Sequence, residues 1–191
     1  MKRLLTIIFC FSIIMLVGCM PVEKDGSEVL LSVMNQECTF VTQNGKEVLL
    51  KDYMVGEGEY ITNKYAQPYE YTFVDFDKDG MDEMIINISV DLGFYLVLHY
   101  EAEKVYGYEF VIRSLQSLKS DGSFIRSGGA MSTYYSCMTF DKQNVKIINT
   151  AIIDDNNQIY ELYGKQSSIE ELDKYIANWN QKENVTWMKC K

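Results

Sequence analysis

Histidine and proline are scarce in this chain of 191 residues, which holds one histidine, His99, and two prolines, Pro21 and Pro68. Lysine and arginine number 18 against 27 acidic residues, a formal charge of −9. Each shortage excludes something. An acidic surface repels phosphate, so nucleic acid and bare anionic lipid are not expected partners. G-x-S-x-G, S-x-x-K and H-E-x-x-H are all missing, and with them the common serine-hydrolase and zinc-protease signatures. The cysteines Cys10, Cys19, Cys38, Cys137 and Cys190 never fall in C-x-x-C spacing, which argues against a zinc site. No fixed-period repeat occurs, so a full propeller or solenoid is not supported.

What is present begins at the N-terminus. Lys2 and Arg3 precede an apolar run from Leu4 to Val17, interrupted by Thr6 and Ser12, which ends in Leu16-Val17-Gly18-Cys19. A basic start, a short apolar stretch and small residues at a cut make an export signal. The run falls short of the roughly 20 residues of an ordinary membrane span. Leu-Val-Gly-Cys resembles the bacterial lipobox. That resemblance implies cleavage before Cys19 and a diacylglyceryl thioether on its sulfur, and two acyl chains give a lasting anchor where one is marginal. The expected organisation is a lipoprotein signal peptide over 1–18, a lipid-anchored tether over 19–26 and a single globular domain over 27–191. The expected location is the outer face of the bacterial cell membrane. The signal carries two positive charges and no acidic ones, so the mature charge is −9 − 2 = −11. Cys38, Cys137 and Cys190 remain. Outside the cytoplasm two of them could bridge, or all three could serve as small apolar side chains.

Asp25 and Glu28 are spaced as an N-terminal capping pair, and Leu30, Leu31 and Met34 recur on or near one face of a helix expected over 28–35. Asn44-Gly45 is a hairpin signal between a strand at 38–41 and a return strand at 47–50. Residues 56–68 read as irregular. Alternation at 69–75 and apolar runs at 84–90, 94–100 and 105–112 read as strands. A helical turn is expected at 114–120. Asp121-Gly122 then turns into a strand at 124–126, and further strands follow at 133–140, 145–153 and 159–162. Ser168 and Glu171 form a capping box before Ile169, Leu172, Ile176 and Trp179, which recur at helical spacing. Short links favour antiparallel pairing. The expected fold class is α+β, mainly β: an antiparallel meander with short helices near both termini.

Between two of these strands lies Asp75-Phe76-Asp77-Lys78-Asp79-Gly80-Met81-Asp82-Glu83. Counting from Asp75, carboxylates fall at positions one, three, five and nine, with glycine at six. Calcium takes six to eight hard oxygens, and alternating aspartates on a curling loop supply them. Asp75, Asp77, Asp79 and Glu83 are the expected carboxylate ligands, and the Met81 carbonyl is the expected seventh-position ligand. Asp82 points away on this reading. At an effective dielectric of 20, each carboxylate pair about 4 Å apart repels by about 4 kcal/mol, which a divalent cation would remove. An EF-hand also needs a bidentate carboxylate at position twelve, here Ile86, so that motif fails. The spacing more closely resembles the FG-GAP type of calcium loop, which links two strands and closes at position nine. Lys78 stands where glycine is usual at position four.

His99 lacks a visible nucleophile or acid partner and reads as structural. Ser127-Gly128-Gly129-Ala130 reads as turn residues, with backbone donors that could meet a ligand. Tyr134-Tyr135 and Tyr106-Gly107-Tyr108 are candidate aromatic sugar- or peptide-binding faces, against a default of cross-strand packing.

Three stretches carry a wider likeness: the aspartate loop with its flanks, Tyr95–Tyr100 running on to Val105–Phe110, and Leu118–Gly122 running on to Ser127–Ala130. Together they resemble uncharacterised lipoproteins of low-GC Gram-positive bacteria. The resemblance implies a lipid anchor and one compact domain, and no chemistry. The expectation is a non-enzymatic binding or envelope-interaction module with an unknown protein or glycan ligand, its loop stabilised by calcium. The alternative is a metal-dependent hydrolase using the aspartate loop and His99.

Overall fold

The computed structural model describes residues 26–56, 64–89, 93–142 and 144–190. The export signal, Cys19 and the tether up to Asp25 lie outside the described residues. In chain order the elements are α1 (Gly26–Met34), β1 (Phe40–Thr42), β2 (Glu47–Val48), β3 (Met54–Val55), β4 (Lys64–Tyr65), β5 (Glu70–Val74), β6 (Glu83–Ser89) and β7 (Phe94–Glu101). They continue with β8 (Lys104–Val111), β9 (Phe124–Gly129), β10 (Ser132–Asp141), β11 (Asn144–Asp154), β12 (Ile159–Leu162), β13 (Lys165–Gln166), α2 (Ile169–Asn180) and β14 (Met188–Lys189). The class is α+β, mainly β.

One sheet runs β14-β5-β6-β7-β8-β1-β2 and a second runs β13-β12-β11-β10-β9, while β3 and β4 pair by themselves. Period-two alternation gives the first sheet two apolar faces. Met84, Ile86, Ile88, Leu96 and Leu98 share a core with Leu30 and Val33 of α1. Ile85, Val97, Tyr106 and Tyr108 point the other way and meet Phe124 and Met138 of the second sheet. A third cluster joins Tyr135 and Ala151 to Leu172 and Trp179 of α2. Burying each large aliphatic or aromatic side chain contributes roughly 1.5–3 kcal/mol.

β11 serves two of these cores because of one extra residue. Tyr135 pairs with Ala151 but Ser136 pairs with Asn149, which leaves Thr150 unmatched. Below this bulge Val145 and Ile147 face the first sheet; above it Ala151 and Ile153 face α2. A one-residue slip reverses the face of every later side chain, and the bulge does so within one strand. Thr150 Oγ1 donates to the Tyr135 carbonyl at 3.1 Å, and Tyr175 Oη lies 2.6 Å away.

Several expectations shift in detail. β1 pairs with β8 in parallel, against the antiparallel pairing expected throughout; the long chain between them supplies the crossover that parallel strands need. Residues 112–114 form a short 3₁₀ turn in place of a helical turn at 114–120. The strand at 124 runs on through Gly128-Gly129, because a bare Cα at Gly128 leaves room for the Tyr134 ring; a Cβ there would sit 2.4 Å from Tyr134 Cε2. The capping box at Ser168 and Glu171 is formed, and Asn44-Gly45 turns β1 into β2 with Gly45 at φ 77°. Cys38, Cys137 and Cys190 are free thiols, each half-buried.

A polar clasp fixes α2 to the turn before β9. Asp121 Oδ1 accepts from Ser123 N–H at 3.0 Å and Ser123 Oγ at 2.6 Å, while Lys182 Nζ lies 2.7 Å from Asp121 Oδ2. Ser123 Oγ in turn accepts from Trp179 Nε1 at 3.0 Å. Burial alone would raise the Asp121 carboxyl, but Lys182 and the two Ser123 donors outweigh it and hold it at about 2. A depressed carboxylate stabilises the fold above its unfolded value near 4 and loses that contribution as pH falls toward its folded value. Asp121→Asn is therefore expected to melt below wild type at pH 6, with the gap closing between about pH 4 and pH 2. A gap that stays constant with pH would show that the charge of Asp121 does not hold the clasp.

Candidate metal centre

The aspartate loop joins β5 to β6 at the end of the first sheet. Asp75 ties the loop to itself: Oδ1 accepts from Lys78 N–H at 2.7 Å and Oδ2 from Gly80 N–H at 3.2 Å. Lys78 and Gly80 have φ of 65° and 91°, the left-handed region where glycine is at ease. That conformation gives a physical reason for glycine at position four, and Lys78 adopts it while its Nζ donates to the Asp75 carbonyl at 3.1 Å.

Glu83 is the first residue of β6 and faces the space between the sheets, 1% exposed. Its Oε2 accepts from Phe76 N–H at 3.0 Å, and its Oε1 lies 2.9 Å from His99 Nδ1. The register sets His99 beside it, since Met84 pairs with Leu98. The His99 ring is 4% exposed and covered by Phe140, stacked at 4.6 Å. Glu101 Oε2 stands 3.6 Å from Nε2. Burial pushes the Glu83 carboxyl up, against His99 and the Phe76 N–H, which pull it down. Burial alone would lower His99, but the carboxylates of Glu83, Asp77 and Glu101 outweigh it and raise it. His99 thus has the partner that its sequence neighbourhood did not reveal.

Of the expected calcium ligands, three carboxylates converge: Asp75, Asp77 and Glu83 each place an oxygen within 4.8 Å of the others. Asp79 stands outside that group, exposed, with Oδ1 accepting from Met81 N–H at 2.7 Å. Met81 is exposed at the same outer turn. Asp77 Oδ1 is enclosed and has no hydrogen-bond donor. An enclosed carboxylate oxygen without a donor carries a desolvation cost of about 1–3 kcal/mol or more. The oxygens of Asp75 and Glu83 that already accept one N–H keep a second lone pair. The donor set is all hard oxygen, and it fits calcium or magnesium better than a thiophilic metal.

The other candidates separate. Tyr106, Tyr108 and Tyr135 are buried, and Tyr134 packs across Gly128 and beneath Arg126, whose guanidinium centre lies 5.4 Å from the ring. The glycine segment belongs to β9 and sits far along the chain from the loop's partners. No family model matches the chain, and no curated protein or solved structure was found to be similar to it.

Truncating His99 leaves Glu83 buried with one backbone donor. His99→Leu is expected to cost about 3–5 kcal/mol, the usual loss when one partner of a buried pair is removed. Adding Glu83→Leu is expected to recover part of it. Denaturant unfolding of the single and double variants checks this, and a single variant as stable as wild type would contradict it.

Proposed function

We propose that the chain is a membrane-anchored extracytoplasmic lipoprotein, a non-enzymatic binding or envelope-interaction module whose aspartate loop is stabilised by calcium. The anchor is a diacylglyceryl group on Cys19, and the reading rests on the basic start, the short apolar run and Leu16-Val17-Gly18-Cys19. At the level of the fold, the proposal takes the β5-to-β8 run as an antiparallel meander and the two helices as braces near the chain's ends.

The observation that carries the calcium reading is the enclosed, donor-less Asp77 Oδ1 beside Asp75 and Glu83. Asp75, Asp77 and Glu83 would hold the ion, with Asp79 and the Met81 carbonyl as the outer ligands that the loop spacing suggests. Bound calcium supplies positive charge to a crowded acidic loop and ties β5 to β6. Extracellular modules bind it at about 10⁻⁴ to 10⁻³ M, so the ion acts as a permanent staple. The hydrolase alternative would use His99 as a base, but its ring is buried beneath Phe140 and bound to Glu83, which supports a structural role.

With a Kd of about 10⁻⁴ M, 1 mM calcium stabilises by about 1.4 kcal/mol. That is expected to raise Tm by roughly 3–6 °C over the chelated protein. Asp77→Asn is expected to abolish the shift, and an equal Tm with chelator and with calcium would contradict the reading. For the anchor, cells fed a labelled fatty acid are expected to label the wild-type protein and not Cys19→Ala, which leaves the membrane fraction. Label retained by Cys19→Ala would contradict it. Capture of surface-crosslinked partners from intact cells, with and without calcium, tests the binding role.

A further inference from the structure

A groove of about 560 Å³ opens where the chain leaving α2 passes the segment before β9, remote from the aspartate loop in residue make-up. Its wall includes Lys119, a residue only 5% exposed. The Lys119 ammonium donates to Asn184 Oδ1 at 2.8 Å and the Lys182 carbonyl at 3.2 Å, and lies 4.5 Å above the Trp179 ring. Among the described residues no carboxylate forms an ion pair with it, whereas neighbouring Lys182 is neutralised by Asp121 at 2.7 Å. Two neutral oxygens and one aromatic face share this ammonium, and a carboxylate would add a charge-assisted partner. In a chain of formal charge −9, a cation set into a groove wall without its own carboxylate is a place for an incoming one.

The rest of the wall narrows the ligand. Tyr95 and Trp187 line the groove with their rings 5.7 Å apart and 28° from parallel. Gln116 and Asn184 also line it, Asn184 with its amide oxygen on the Lys119 ammonium. Aromatic rings take the C–H face of a pyranose, amides exchange hydrogen bonds with its hydroxyls, and an ammonium takes a carboxylate. The volume suits one or two rings. The acidic surface favours a ligand with a single negative charge over a polyanion.

We propose that this groove binds a carboxylated pyranose, a sugar of the uronic-acid type, with Lys119 on the carboxylate and Tyr95 and Trp187 against the ring. The proposal rests on the binding-module reading and names its ligand class.

The chain has two tryptophans, Trp179 and Trp187, and both line the groove, so intrinsic fluorescence reports on this site. The purified full-length protein would be titrated with D-glucuronate, D-glucose and N-acetyl-dialanine. The expected result is a saturable change with glucuronate at a Kd on the order of 1 mM. Glucose is expected to bind at least tenfold more weakly, in keeping with loss of a charge-assisted hydrogen bond. Lys119→Met, checked for a wild-type circular dichroism spectrum, is expected to weaken glucuronate at least about tenfold. Gln116→Ala, in less buried surroundings, is expected to weaken it severalfold and keeps the test open should Lys119→Met not fold. No saturable change with glucuronate would overturn the proposal. So would an equal response to glucose, tighter binding of the dipeptide, or wild-type affinity in both variants. If glucuronate fails while partner capture from cells succeeds, this ligand class is lost and the binding role stands; if both fail, the binding role is lost as well.

Discussion

Glu83 is a carboxylate in a place where water cannot reach it, at the mouth of the space between two sheets. Such a group must be given donors or it unfolds its surroundings. Its two donors dictate much of the local structure. The Phe76 N–H has to face it, and the Phe76 ring lies edge-on to Phe124 and Phe140, at 6.1 and 6.2 Å, inside the core between the sheets. His99 has to stand opposite on β7, where Phe140 covers it. With Phe76 drawn inward, the intervening residues curl outward, and Asp77 ends with one oxygen enclosed and without a donor. The loop's acidic crowding follows from how it is pinned at both ends, and it is this crowding that the proposed calcium ion would relieve.

The same seam organises the rest of the molecule. The second sheet can cover the first only because the bulge at Thr150 turns β11 over, sending Val145 and Ile147 to the seam and Ala151 and Ile153 to α2. The tip of the β10–β11 hairpin is held over the first sheet by Lys142, whose N–H donates to Glu101 at 2.7 Å and whose carbonyl accepts from Tyr108. At the other end Gly122, at φ 79°, packs where a Cβ would lie 2.9 Å from the Phe76 Cα, so the clasp turn and the aspartate loop support one another. From that clasp the chain leaves α2, pairs back onto residues 118–120, and ends on β5 as β14. The groove beside Lys119 is a consequence of that strap crossing from one sheet to the other.

Sequence reading reached the local features whose cause is local. The capping box at Ser168, the turn at Asn44-Gly45 and the strand–loop–strand around Asp75 are written in neighbouring residues. It missed what depends on register between distant segments. Nothing near His99 names Glu83 as its partner, and nothing near Thr150 announces a bulge. The parallel pairing of β1 with β8 joins segments far apart in the chain, and local turn lengths are silent about it. Tyr106, Tyr108 and Tyr135 are core residues, in line with the default of cross-strand packing, whereas the stacking of Tyr95 on Trp187, 92 positions further along the chain, is not visible in local spacing. Among the described residues Lys119 forms no ion pair, while Lys182 pairs with Asp121, a division of partners that spacing cannot show.

The enclosed oxygen of Asp77, set beside Asp75 and Glu83, is where the proposed calcium ion would bind. Titration calorimetry of the calcium-free protein addresses it without reference to stability. One equivalent of calcium is expected to bind with a Kd of about 10⁻⁴ to 10⁻³ M, with no binding heat in Asp77→Asn. Absence of any heat in the wild-type protein, or an isotherm unchanged by Asp77→Asn, would contradict it.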